Sequence, residues 1–171
     1  MRAHDLALAA KLCRFSKNTK ANQTDLAKSL CISQSEVSDG LRRLIESKIL
    51  HEDKQNIDRK SFVEYLVYGA RYHFPADPGK PRMGIPTAHS TPIYSEKIAS
   101  SYGVVWPWED FKNGVLGCTI VPLYPKLPQA CINDLSLYAI FAAFDLIRIG
   151  NDQEKKLAIE VIEKQLLVQK S

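Results

Sequence analysis

The chain has 171 residues, of which 45% are hydrophobic and 25% charged, enough apolar side chains for a real core and too few charges for a disordered polyelectrolyte. A net charge of +4 and a pI near 8.8 suit a polyanionic partner without requiring one. No basic segment followed by an apolar stretch opens the chain, and no run of about 18 apolar residues occurs in it, which argues against export and membrane insertion and for a cytoplasmic location.

The first predicted element is a helix opened by His4 or Asp5 and running from Leu6 to about Phe15, with Leu8, Leu12 and Phe15 on one face. It reads as a supporting helix. The polar, basic connection from Ser16 to Asn22, with Lys17 and Lys20, leads to Thr24, the expected cap of a short helix Thr24–Leu30 with Asp25 in its first turn. Only Cys31 and Ile32 separate that helix from Ser33. Ser33 with Glu36 three residues later forms a capping box, in which hydroxyl and carboxylate each take a backbone N–H unpaired at a helix start. The helix so begun has Val37, Leu41 and Leu44 at helical spacing on one side. On the other it carries Ser35, Ser38, Asp39 and Arg42, a polar face with hydrogen-bonding groups of the kind that read DNA base edges.

Two helices joined by so tight a turn cross steeply, with Ala27 letting the axes approach and Leu26, Leu30, Ile32 and Val37 filling the angle. Leu26-Ala27, Ser33-Gln34-Ser35, Val37-Ser38, Leu41, Arg42-Arg43-Leu44 and Lys48-Ile49-Leu50 together resemble the winged helix-turn-helix of bacterial regulators of the MarR and ArsR type, over about a third of the chain. Two residues depart from that pattern. Cys31 stands where glycine is usual, so the turn is made without positive φ or with strain at Cys31. Gly40 lies inside the second helix, where it costs roughly 1 kcal/mol relative to alanine and leaves room for a close neighbour, a helix or a phosphate.

Lys48–Glu52 has the alternation of a short strand, but a partner strand for a wing is hard to find. Asn56 reads as a cap, and Ile57–Tyr68 as a helix with Gly69 as its stop signal, so the wing is expected to be short or absent. From Ala70 to Leu127 the character changes, because most of the nine prolines and eight glycines fall here between β-prone runs such as Arg71–Phe74 and Leu116–Val121. The aromatic side chains of this stretch need burial, which argues for ordered, irregular chain docked on the helices. Residues 76–84 form a turn-rich loop whose Lys80 and Arg82 offer a displaced wing for the DNA backbone or are simply solvated. Trp106-Pro107-Trp108 offers flat apolar walls for a small effector, or core packing, the commoner use of such rings. Asn133 or Asp134 caps a helix from Leu135 to Ile149 that is apolar nearly all round and is stopped by Gly150. Asn151 or Asp152 caps a last helix bearing Leu157, Ile159, Ile162 and Leu166. Asp145 and Arg148, three apart, are placed to pair.

The four cysteines form no C-x-x-C unit and the four histidines no paired-ligand spacing, so no metal or other cofactor is expected. No nucleophile-and-base motif or glycine-rich phosphate loop suggests an enzyme. The expected fold is mainly α with minor β: a winged-helix-like unit over 1–69, an irregular docking segment over 70–132 and a C-terminal helical pair over 133–171. The resemblance implies a transcriptional regulator binding double-stranded DNA. Gln34, Ser35, Ser38, Asp39 and Arg42 are placed at the bases, and Lys20, Thr24, Lys28, Ser33, Arg43, Lys80 and Arg82 at the backbone. The apolar C-terminal helices imply a homodimer. Trp106 and Trp108 mark the place for an effector, if one exists. The rival reading is a DNA-independent interaction protein, antitoxin-like or scaffolding, that uses the helix-turn-helix to dock another protein.

Overall fold

The computed structural model describes residues 1–15, 22–54, 56–108 and 111–167. It is mainly α with a small sheet, as the periodicities imply. The elements in chain order are α1 (Ala3–Leu12), α2 (Gln23–Leu30), α3 (Gln34–Glu46), α4 (Arg59–Glu64), a π-helical turn (Tyr65–Gly69), α5 (Ala70–His73), β1 (Pro81–Pro86), β2 (Val104–Pro107), β3 (Val115–Thr119), α6 (Leu127–Ile132), α7 (Leu135–Ile149) and α8 (Asp152–Leu166).

Helix α1 starts earlier than expected, at Ala3, because the Asp5 carboxylate accepts the Arg2 backbone N–H at 2.6 Å and closes the first turn from inside. It is a central helix: Asp5, Leu6, Ala7, Leu8, Ala9, Ala10 and Leu12 are all buried. Its small residues admit α3 closely. Gly40 is the contact point, since a Cβ there would stand 2.9 Å from both the Asp5 carboxylate and the Leu8 side chain. The room at Gly40 is therefore taken by a packed helix and is not open to a phosphate.

At the place of a wing, the described residues show one antiparallel bridge, Leu50 to Ile57, closed by His51 N–H to Asn56 C=O at 2.8 Å and Asp58 N–H to Ile49 C=O at 2.8 Å. Asp58, and not Asn56, caps the next helix, its carboxylate taking the Ser61 N–H. Gly69 does not stop that helix. Its φ of −106° is right-handed, and the chain passes through a π-helical turn into α5, because the missing Cβ makes room for the Tyr65 ring, which a side chain would meet at 3.0 Å. Arg71, Tyr72 and His73, read as β-prone, consequently end a helix.

The three strands pair in every combination. β1 runs antiparallel to β2 (Ile85 opposite Trp106) and to β3 (Met83 opposite Leu116), and β2 and β3 are parallel (Val104 opposite Cys118). Gly84 sits where the three meet, and any Cβ there would overlap the Trp106 carbonyl. Residues 81–84 thus belong to a strand, with Arg82 opposite Gly117, and the pairing begins before it: Gly79 N–H donates to the Thr119 carbonyl at 2.7 Å and the Lys80 carbonyl accepts from Thr119, so the segment 76–84 is a loop only as far as Pro78.

Helix α7, capped by Asp134 through Ser136 N–H and Leu137 N–H, is buried from Ala139 to Ile147 within the single chain, by α8, α6, α1 and the segment after β1. The apolar surround that suggested a second copy is covered internally along this stretch, and Leu135 at the start of the helix is the apolar residue of α7 left exposed. At its centre lies a buried polar node. The Asp145 carboxylate accepts from Trp106 Nε1 at 2.6 Å, Thr87 Oγ1 at 2.8 Å and Arg148 at 2.7 Å, while Arg148 also donates to the carbonyls of Phe74, Pro75 and Val121. Burial pushes the Asp145 carboxyl up, and Arg148, Thr87 and Trp106 pull the other way. No described helix is long and apolar enough to cross a membrane.

Candidate nucleic-acid interface

Helix α2 is capped by Asn22, two residues before Thr24, because the Asn22 side-chain oxygen accepts the Thr24 N–H at 2.9 Å. Its C-terminus turns at Cys31, a left-handed residue with φ 55° and ψ 37°, so the tight turn is indeed made with strain at a non-glycine. Buried Leu26, Ala27 and Leu30 face Val37, Leu41 and Leu44 of α3, and this inner packing fixes the crossing of the two helices.

The capping box opens α3 as its sequence implies: Ser33 Oγ accepts Glu36 N–H at 3.2 Å and the Glu36 carboxylate accepts Ser33 N–H at 2.7 Å. Those bonds from Ser33 hold the Glu36 carboxyl below its ordinary range. With Glu36 turned inward to the cap, Gln34, Ser35, Ser38, Asp39 and Arg42 form a continuous exposed face. Arg42 reaches back to Asp39 at 3.3 Å, which neutralises the aspartate without burying either group.

Arg43 does not belong to that surface. Its guanidinium makes a two-pronged contact with the Asp5 carboxylate, both bonds at 2.8 Å, and lies 3.3 Å from His4 Nε2. The Asp5 side chain is fully buried, so Arg43 neutralises an interior charge and ties α3 to α1; it is removed from the phosphate set. Trp106 is also corrected. It is fully buried with its indole N–H on Asp145, which leaves no face for an effector, and Trp108 is half-buried against Phe111 with ring centroids 5.3 Å apart. Thr24, Lys28, Ser33 and Lys80 are exposed, and Arg82 lies on β1. Lys20 lies outside the described residues.

A groove of about 750 Å³ runs beside the turn, walled by Thr24, Lys28, Cys31 and Ser33 on one side and by Tyr124, Pro125 and Lys126 on the other. Tyr124 is buried, and its hydroxyl donates to the Leu30 carbonyl at 3.0 Å, satisfying a group left open at the end of α2. No local signal marks Tyr124–Lys126 as part of this site, since 94 positions separate Tyr124 from Leu30. Compared with protein-family models, curated proteins and solved structures, the chain gives no match.

Proposed function

We propose that the chain is a sequence-specific double-stranded DNA-binding protein that regulates transcription as a homodimer. The observation that carries the reading is the division of α3: an inner face closed by Val37, Leu41, Leu44 and Arg43, and an outer face of Gln34, Ser35, Ser38, Asp39 and Arg42 that is exposed among the described residues. Gln34 and Arg42 each offer paired hydrogen bonds to adenine or guanine edges, and Asp39 either accepts from a cytosine amino group or stays on Arg42. A cytoplasmic location fits this role.

Titration of the protein with genomic DNA at low and moderate salt, followed by selection from a random duplex pool, tests the reading. Arg42→Ala should cost about 1 to 3 kcal/mol on the selected site and less on random DNA. If neither Arg42→Ala nor Gln34→Ala changes affinity or site preference, α3 is not a recognition helix. Dimerisation is argued from readout, because one such helix covers only a few base pairs. The outward side of α8 is polar, with Asp152, Gln153, Lys156, Glu160, Glu163 and Lys164 exposed, so the C-terminal helices lose the apolar argument for supplying the contact. Light scattering decides the stoichiometry; a mass of 19.3 kDa with and without DNA defeats the dimer.

The protein-docking alternative draws on a different surface. Met83 and Leu116 are cross-strand neighbours 42% and 68% exposed, an apolar pair that protein partners cover more readily than DNA does. Binding of duplex DNA lost with Arg42→Ala favours the first reading; no DNA binding at any salt favours the second.

A further inference from the structure

The groove beside the helix-turn-helix carries unbalanced positive charge on both walls. Lys28 on α2 and Lys126 on the opposite wall are both exposed, and neither has an ion pair among the described residues. The acid that lines the groove, Glu36, stays ionised and turns its carboxylate onto the backbone N–H and hydroxyl of Ser33, so one negative charge stands against the two lysines and the lining remains net positive. Ser33 and Gln34 line the groove and also belong to the exposed start of α3, so a duplex read by α3 passes over its opening. Between the lysines, Ala27, Ile32 and Pro125 supply apolar floor of the kind that deoxyribose covers.

We propose that the loop Tyr124–Lys126 takes the place of a wing: a DNA backbone strand lies along this groove, with Lys28 and Lys126 meeting phosphates from opposite sides. The inference rests on the DNA-binding reading above. A wing works by reaching the backbone beside the recognition helix, and the hairpin in that position shows a single bridge among the described residues, Leu50 to Ile57. The Tyr124–Lys126 loop does not swing freely, because the Tyr124 hydroxyl fastens it to the Leu30 carbonyl; Lys126 is therefore held at a fixed place relative to α2 before DNA arrives. Phosphate contact of this kind adds affinity and register but no base preference.

The test is the salt dependence of binding to a selected duplex and to a random one, for the wild type, Lys126→Ala, Lys126→Arg, Lys28→Ala and, as a control for loss of charge alone, Lys156→Ala on the outer side of α8. Lys126→Ala should make the slope of log K against log salt shallower by about 0.9 and weaken both duplexes alike. Lys126→Arg should keep the wild-type slope, and Lys28→Ala should resemble Lys126→Ala. Lys28, Lys126 and Lys156 are all exposed, so equal melting temperatures for all variants are expected and verify the fold. If Lys126→Ala and Lys156→Ala have the same slope while Arg42→Ala still loses the selected site, the loop lies off the DNA and the inference is overturned with the DNA-binding reading intact. If the wild type binds neither duplex, that reading itself fails and takes the inference with it.

Discussion

Arg42 and Arg43 are adjacent in sequence and opposite in use, and burial separates them. The Arg43 side chain is 16% exposed against a fully buried Asp5, whereas that of Arg42 is 67% exposed. Removing Arg43 strands the Asp5 charge beside Gly40, so Arg43→Ala should lower stability by about 3 kcal/mol, read as a fall in denaturation midpoint. Arg42→Ala should leave that midpoint within about 0.5 kcal/mol of wild type, being a surface change. Equal losses from both substitutions would refute the division of labour. The cysteines divide in the same way. Burial pushes the Cys13 thiol up to about 12 and the Cys131 thiol well above its ordinary value, while Cys31 and Cys118 are half-buried. A thiol reagent at neutral pH should therefore modify Cys31 and Cys118 in the native protein and reach the other two only after unfolding. Mass spectrometry of the labelled chain counts them.

At the scale of elements, α7 is held by a polar node at its core as well as by apolar contact. Arg148 and Asp145 are 3% and 2% exposed, and between them they fasten α7 to the end of α5, to β2 and to the chain after β3. An irregular segment cannot satisfy its own carbonyls by a ladder, so a buried guanidinium with several donors does it instead. Arg148→Met should cost about 3 kcal/mol, because it leaves the Phe74 and Pro75 carbonyls without this donor and the buried Asp145 with Trp106 and Thr87 but no cationic partner. The loss should depend on pH with a definite sign. Without Arg148 the Asp145 carboxyl is raised further by burial, so the folded state holds its proton more tightly than the unfolded state. The deficit should then be smaller below the carboxylate range and grow as pH rises through the raised value. A deficit independent of pH would show that Asp145 stays ionised.

At the scale of the molecule, the three sequence segments share one continuous core, from Leu6 and Leu8 of α1 through Trp106 of β2 to Phe141 of α7 and Leu166 of α8. Lys11 and Arg14 near the end of α1 both donate to Asp134, the cap of α7, so the C-terminal end of α1 is fastened to the start of α7. A chain cut before Asn133 exposes the buried side of α1 and removes the partner of Trp106. It should lose cooperative unfolding altogether, and a stable helix-turn-helix unit remaining after the cut, seen as a sigmoidal melt with native helicity in α1 to α3, would contradict a single core.

Local rules carried far into this chain. The capping box at Ser33, the stop of α7 at Gly150, the short turn between α2 and α3 and a cap for α8 at one of the two residues offered, Asn151, are all decided within a few residues, and each was legible there. What depended on distant chain was not. Arg43 and Arg42 have the same local signature, and only Asp5 on α1 separates them. Gly69 reads as a stop until Tyr65 is seen to occupy its missing side chain. Trp106 reads equally as effector wall or core until Asp145 takes its N–H. The all-round apolar pattern of α7 dictated burial on every side, but a periodicity cannot say whether a second copy or the same chain does the covering. Here α8, α1 and the chain around β1 do it, since folding onto these surfaces within one chain carries no cost of bringing two molecules together.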